Sequence, residues 1–395
     1  MADSIKTAGV LGLGVMGFDI AFLYAANGYE TLVHDASAAV MGSLEKRREQ
    51  TIDRLKKRNR MGDAESENVR RWLIPRQDLA GLRRAELITE AVSEKLGIKL
   101  AVYKGLRDAG FAGILTTNTS SLTRATLLAE RPYDSAKFAL THFFNPVLYT
   151  RMVEVVRGDM EPSCSETVVS FLKSLGRDPV ETRDISGFVS NGILMVYAVM
   201  AVRLLESGAR IEQVDAAARE LRLLPPFVSF DSWKPSIVED VTRVMFELRG
   251  DSFLRSSNLL TELAKDNPVF YVDGNPNSRI YELAEAPYSG FDDAAIKAAL
   301  KMSILVAAAR VVELGEEPAT VDFVAVNGIK IPAPPLKQID SMGAAALLRE
   351  LAQINERLSK GILNAPALLK TMAEEGQTFY RDGQRNSWLQ SRPGS

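Results

Sequence analysis

Three glycines set between a short apolar run and a helical pattern constrain this chain more than any other feature. Residues 7–13, TAGVLGL, read as a strand. Gly12, Gly14 and Gly17 follow, then IAFLYAANG reads as a helix ending near Gly28. Residues 30–34, ETLVH, read as a second strand closed by Asp35. Strand, glycine turn, helix and strand make a βαβ unit with two parallel strands. In such a unit Gly12 permits the tight turn, Gly14 lets the backbone approach a pyrophosphate, and Gly17 lets helix and strand pack closely. The helix N-terminus offers unpaired N–H groups and a favourable dipole to phosphates. Val15 and Met16 are the loop residues between the glycines and join the expected cofactor contacts. Asp35 falls eighteen residues after Gly17. A carboxylate there accepts hydrogen bonds from the adenosine ribose and repels a 2′-phosphate, which favours NAD over NADP. The plain alternative for Asp35 is a turn residue at a strand end.

Further apolar runs fit later strands: ELIT at 86–89, GILTTN at 113–118, FALTHFF at 138–144 and VEVV at 153–156. Residues 1–185 therefore read as one doubly wound α/β domain of Rossmann type. Residues 187–395 are mostly helical patterns with proline-rich joints, and they carry an internal repeat. Arg203, Glu206, Gly208, Val214, Asp215 and Pro225 recur as Arg310, Glu313, Gly315, Val321, Asp322 and Pro332, each 107 residues later. Asp231-Ser232 recurs as Asp340-Ser341 at a spacing of 109, so the first copy is shorter by two residues. The expectation is two related all-α domains, 186–290 and 291–395, with chance resemblance of amphipathic helices as the alternative.

The chain has 395 residues, enough for more than one domain, and a net charge of −2, which gives no overall basic bias toward nucleic acid. Its one cysteine, Cys164, allows no internal disulfide and fits a reducing compartment. MADSIKTAGV carries no signal-peptide pattern, and no run of eighteen apolar residues suggests a membrane span. The expected location is the cytoplasm.

The chemistry concentrates at 141–155, THFFNPVLYTRMVEV. His142 is one of two histidines, and Glu154 follows twelve residues later. Histidine, with an unperturbed pKa of about 6.5, suits proton abstraction near neutrality. A carboxylate partner fixes its tautomer and stabilises the imidazolium. A His–Glu spacing alone carries little weight. Beside a dinucleotide loop it suggests a dehydrogenase that removes a proton with His142 and passes a hydride to a nicotinamide. Two distant histidines and one cysteine offer no metal-ligand cluster.

With these segments in view, the chain resembles the 3-hydroxyacyl-CoA dehydrogenase family. The carrying motifs are GLGVMG at 12–17, EAVSEKLGIK at 90–99, NTSSL at 118–122, THFFNP at 141–146, MVEVVRG at 152–158 and DISGFVSN at 184–191. The repeated tail, with PAPPLKQIDSMG at 332–343 and APALLKTMAEEGQTFY at 365–380, resembles the duplicated C-terminal domain of the fatty-acid oxidation complex α-subunit; the hydratase domain of those proteins has no counterpart here. The resemblance implies NAD as cofactor and a hydroxyacyl thioester as substrate. It implies His142 as general base, oriented by Glu154, with Ser121 and Asn191 hydrogen-bonding the substrate oxygen or the imidazole. Glu94 and Lys99 match positions near the nicotinamide ribose. Asn145 matches a contact on the nicotinamide side, and Lys265 a basic residue that reaches the cofactor. Thr51 and Arg58 match a hydroxyl and a basic CoA contact. A second helical copy can replace the partner through which single-copy members dimerise, so a monomer is expected, with a homodimer as the alternative.

Plainer roles stand beside these. Ser121 could cap a helix, Asn191 could open one, and Asn145 could serve the turn before Pro146. Lys99 and Lys265 could be solvated surface lysines. KRREQTIDRLKKRNR, 46–60, carries eight basic and two acidic residues; it reads as a solvated helix face, a CoA-phosphate contact or a dock for an acidic acyl carrier protein.

The chain also departs from the family. Gly192 stands where an arginine usually follows the asparagine. The Gly-Pro-Phe joint becomes LPPFVSFDSWKPS at 224–236, and Gly-x-Gly-Phe-Tyr becomes Asn267-Pro268-Val269-Phe270-Tyr271. These changes suggest retained chemistry on an unusual acyl group. A non-catalytic NAD-binding homologue and a dehydrogenase of free hydroxy acids remain as other readings.

Overall fold

The computed structural model describes residues 5–285, 291–358, 363–381 and 384–386. The chain divides after Asp184 into two compact units.

The first unit is built on one eight-stranded sheet. Its strands are β1 (Thr7–Leu11), β2 (Glu30–His34), β3 (Leu73–Pro75), β4 (Leu87–Glu90), β5 (Ile114–Thr117), β6 (Phe138–Phe143), β7 (Met152–Val156) and β8 (Asp178–Glu181). They lie in the order β3-β2-β1-β4-β5-β6-β7-β8. Every pairing is parallel except β6 with β7. The helices are α1 (Val15–Ala26), α2 (Ala38–Gly42), α3 (Leu44–Lys57), α4 (Asp63–Trp72), α5 (Leu96–Asp108), α6 (Arg124–Leu128) and α7 (Pro162–Ser174). Strands β4 to β7 are buried at every residue, as expected of a mostly parallel sheet covered on both faces. The chain runs outward through β2 and β3, then returns to lay β4 on the other side of β1. That reversal opens a crevice at the carboxyl ends of β1 and β4, where doubly wound sheets bind ligands.

The apolar runs mark six strands to within about a residue or two of their observed ends. Two strands of this sheet escape the sequence reading, and both are its edges. Strand β3 has three residues and ends in Pro75; β8 has four and contains Pro179. Short, proline-bearing strands carry too little period-two pattern to register, and such residues are confined to edges because proline cannot donate to the ladder.

Among its described residues the second unit is helical apart from two short hairpins. It contains α8 (Ser190–Glu206), α9 (Ile211–Glu220), α10 (Pro226–Trp233), α11 (Pro235–Arg249), α12 (Asn258–Asp266), β9 (Tyr271–Val272), β10 (Asn275–Pro276) and α13 (Ser278–Ala284). It continues with α14 (Asp293–Glu313), α15 (Pro318–Asn327), α16 (Pro335–Met342), α17 (Ala344–Arg357), α18 (Ala367–Glu375), β11 (Tyr380–Arg381) and β12 (Gln384–Arg385). The order α8–α12 plus hairpin recurs as α14–α18 plus hairpin, and the polar contacts recur with it. Asp215 accepts hydrogen bonds from the Phe227 N–H at 2.9 Å and the Tyr271 hydroxyl at 2.8 Å. Asp322 accepts them from the Leu336 N–H and the Tyr380 hydroxyl, both at 2.8 Å. Asp231 holds the Phe270 N–H at 2.6 Å, and Asp340 the Phe379 N–H at 2.8 Å.

These pairings correct one sequence match. Pro225 precedes α10 as Pro334 precedes α16, so its counterpart is Pro334 rather than Pro332. The two-residue difference falls in the loop before that proline. The expected division at 290/291 adjoins residues 286–290, which lie outside the described residues. Helices α8 and α14 pack directly on one another. Gly192 sits at that contact: a Cβ there would lie 2.8 Å from Val311 Cγ2, so any larger residue pushes the helices apart.

Candidate active site

The glycine loop leaves the carboxyl end of β1. Gly12 has φ +85°, and a Cβ there would meet the Ala91 carbonyl at 2.7 Å. A Cβ on Gly17 would stand 1.8 Å from the Gly12 oxygen. Gly14 differs, with nothing within 4 Å of its Cβ position. Two glycines thus close the loop against β4, while the third leaves an open approach. Gly14 caps α1 without a side-chain hydrogen bond, so the first-turn N–H groups gain no side-chain acceptor from the cap. Val15 is 70% exposed and Met16 half-buried. Asp35, at the end of β2, accepts the Leu13 N–H at 2.7 Å and the Ser37 N–H at 2.8 Å. Loop, helix end and strand-end carboxylate fit the pyrophosphate and ribose of a dinucleotide.

Beside the loop lies a buried carboxylate network. Glu90 ends β4 with no exposed surface, and Lys99 on α5 is equally enclosed. The Lys99 ammonium donates to Glu90 Oε1 at 2.8 Å and lies 3.4 Å from Glu94 Oε2. Tyr103 and Thr117 each donate a hydroxyl to Glu90 Oε2 at 2.7 Å, and the Val92 N–H donates to Oε1 at 2.7 Å. Glu94 Oε1 in turn gathers the Thr119 hydroxyl at 2.5 Å, the Ser120 and Ser121 N–H groups at 2.7 and 2.8 Å, and the Ser121 hydroxyl at 2.9 Å. Burial pushes the Glu94 carboxyl upward, but the Lys99 charge and these donors outweigh it and hold the group below the usual carboxylate value. Burial depresses Lys99, and the Glu90 and Glu94 charges more than reverse that. The NTSSL segment is therefore strapped to the turn after β4 through one carboxylate. The cap of α6 is Thr123, not Ser121.

His142 and Glu154 face each other directly across the antiparallel β6–β7 pair. His142 Nδ1 lies 2.9 Å from Glu154 Oε2. Glu154 is 1% exposed and His142 8%. Twelve residues of separation collapse to one register step because the chain doubles back into a non-parallel neighbour. Asn118, at the end of β5, accepts the Phe143 N–H at 2.9 Å and ties β6 to the NTSSL segment. Tautomer logic follows: a proton on Nδ1 donated to the carboxylate puts the imidazole lone pair on Nε2.

The remaining expected residues lie as follows. Asn145 is exposed and precedes Pro146 through a cis peptide bond. Thr51 is buried on α3, while Arg58 at its end is exposed and donates to the Tyr149 hydroxyl at 3.2 Å. Asn191 is in the first turn of α8, in the helical unit. Lys265 projects from α12 and pairs with Glu262 at 2.6 Å. Glu90 went unassigned from sequence, although an acidic residue closing the apolar run LITE is a signal for a buried, partnered carboxylate. Among the described residues no cluster of three metal-ligating side chains occurs, and no helix is long and apolar enough to cross a membrane.

The NAD binding domain of 3-hydroxyacyl-CoA dehydrogenase matches residues 7–185, and its C-terminal domain matches residues 187–269. The mitochondrial hydroxyacyl-coenzyme A dehydrogenase of Sus scrofa is 34% identical over 224 residues, covering 54% of this chain and 71% of that one. The fatty acid oxidation complex subunit alpha of Shewanella amazonensis is 27% identical over 95% of this chain, which spans only 56% of that subunit's length. Among solved structures, 3-hydroxybutyryl-CoA dehydrogenase from Escherichia coli K12 superposes with a TM-score of 0.76, covering 94% of this chain and 99% of that one; at 22% identity the likeness is one of fold. The (S)-3-hydroxybutyryl-CoA dehydrogenase of Ralstonia eutropha is 26% identical, with a TM-score of 0.59, covering 66% of this chain and 94% of its own. With both family domains matched in order and the glycine loop and His–Glu pair in place, the chain belongs to the 3-hydroxyacyl-CoA dehydrogenase family.

Proposed function

We propose that this protein catalyses NAD-dependent oxidation of a 3-hydroxyacyl thioester, most simply a CoA ester, to the 3-ketoacyl thioester. The observation that carries the reading is the His142–Glu154 pair at the carboxyl end of a sheet whose β1–α1 turn fits a dinucleotide. His142 takes the C3 hydroxyl proton on Nε2, while Glu154 holds the ring and balances the imidazolium charge. When bound, the nicotinamide supplies the acceptor for the C3 hydride. Ser121 and Asn191 are assigned to the substrate oxygen, as a hydroxyl and an amide that can serve both alcohol and ketone. In the loop, Gly12, Gly14, Val15, Met16 and Gly17 hold the pyrophosphate, and Asp35 the ribose. Glu94 and Asn145 belong to the nicotinamide side, and Lys265 is the family's cofactor-reaching cation. Lys99 acts through Glu94 rather than by contact, since its ammonium is enclosed by two carboxylates. Thr51 and Arg58 are assigned to the CoA moiety.

We read the helical unit as two copies of one domain, the second packing against the first in place of a partner subunit, with a monomer as the result. An acyl carrier protein is the second substrate form, favoured by the basic residues of α3. The test follows absorbance at 340 nm with NAD and (S)-3-hydroxybutyryl-CoA, then longer and carrier-bound thioesters. Turnover that falls at least about 10²-fold in His142→Ala supports the assignment. Near-normal turnover in that variant, or a free hydroxy acid outperforming its thioester, overturns it.

A further inference from the structure

Arg47 joins α3 to the glycine loop. It lies on α3, twelve residues after Asp35, yet its side chain reaches back to the glycine loop. Nη1 donates to the Leu13 carbonyl at 2.6 Å and Nη2 to the Gly14 carbonyl at 3.0 Å. The guanidinium carbon stands 4.2 Å from the centroid of the Phe18 ring, in the first turn of α1. Two contacts on the loop and one on the first turn of α1 fix both the position and the plane of the cation.

Two carboxylates act on it, Asp19 from α1 and Asp35 from the end of β2. Asp19 is partly buried, and burial lifts its pKa to about 6 against the opposing charges of Arg54 and Arg47. At neutral pH Asp19 is therefore mostly ionised. A pyrophosphate at the start of α1 brings further negative charge to a place already flanked by two acids. The helix end offsets only about half a unit charge. The guanidinium supplies a whole one. It has five N–H donors in a rigid fork, and the two loop carbonyls leave others for phosphate oxygens.

Resting on the reading that this loop holds NAD, we infer that Arg47 is a further cofactor-binding residue: it fixes the loop carbonyls and supplies the countercharge that lets a pyrophosphate dock between Asp19 and Asp35. The sequence hides it inside a run of basic residues that reads as a solvated face. Only the return of α3 to the glycine loop distinguishes this arginine from its neighbours.

Binding to the full chain tests the inference without turnover. NADH affinity is read by its fluorescence, and ADP-ribose and adenosine by displacement. Arg47→Gln can still donate to a loop carbonyl but carries no charge. It is expected to weaken NADH and ADP-ribose by about tenfold or more, the range of a hydrogen bond to a charged group, and to leave adenosine unchanged. Arg47→Lys is expected to keep most of the ADP-ribose affinity. Asp19→Asn is expected to tighten ADP-ribose and, combined with Arg47→Gln, to recover part of the loss. Unchanged ADP-ribose binding in Arg47→Gln overturns the inference. So does an equal loss for adenosine, which marks a collapsed loop rather than a lost countercharge. A wild-type chain that binds neither NADH nor ADP-ribose overturns the NAD reading along with it.

Discussion

Lys99→Met removes the one cation from a network holding two carboxylates, and its effect can be worked out from the contacts. The ammonium is fully enclosed and reaches Glu90 at 2.8 and 3.2 Å and Glu94 at 3.4 Å. Methionine fills similar volume, so little cavity arises and the loss is electrostatic. Glu90 keeps Tyr103, Thr117 and Val92 as donors, and Glu94 keeps its four from Thr119, Ser120 and Ser121. Hydrogen bonds without a countercharge do not balance a buried carboxylate, and breaking one partner out of a buried pair costs about 3–5 kcal/mol. For a unit of this size that is roughly 6–20 °C in Tm.

Urea and thermal unfolding as a function of pH separate this account from simple mispacking. In the native chain Glu94 is held below its ordinary value, so its contribution is present above the unfolded pKa and lost as pH falls through the folded one. Lys99 is held above its ordinary value, so its contribution is present below the unfolded pKa and lost as pH rises through the folded one. Without the ammonium, burial outweighs the remaining donors at Glu94. Its carboxyl then binds a proton more readily folded than unfolded, so the variant gains stability relative to wild type as pH falls from about 7 to 5. Glu90→Gln combined with Lys99→Met removes one of the two orphaned charges and is expected to recover part of the loss. A single variant within about 1 kcal/mol of wild type, or a double variant no more stable than the single, refutes the reasoning.

Two further changes probe the proton relay and the loop. Glu154→Gln keeps the size of the side chain but removes the charge that balances a protonated His142; kcat is expected to fall by about 10²-fold or more with little change in NADH affinity, measured by steady-state kinetics beside NADH fluorescence. Gly17→Ala places a methyl where the Gly12 carbonyl already lies, 1.8 Å away, so the loop must shift. The expected result is a loss of about 1–3 kcal/mol in stability and a larger proportional loss in NADH binding, read by denaturation and by titration. An alanine variant that binds NADH normally would show that the loop is more pliant than its packing implies.

Much of this molecule follows from local pattern. The glycine turn, the six apolar strands and the acidic residue closing β2 are short-range features, because φ permission, strand period and strand-end chemistry act within a few residues. The recurring spacing is local for the same reason: Arg203, Glu206 and Asp215, like Arg310, Glu313 and Asp322, serve contacts within a few helices of their own. Spacing could not show that His142 and Glu154 meet. They do because β7 enters antiparallel to β6 and puts the two residues in register. Nor could it distinguish Lys99, sealed between carboxylates from β4 and the turn after it, from Lys265, which stands on the surface 61% exposed. Arg47 and Glu90 show the same limit. One sits in a basic run and the other ends an apolar run. What each does is set by partners brought in from other elements, since burial and Coulomb interaction depend on distance in space, which only the tertiary fold assigns.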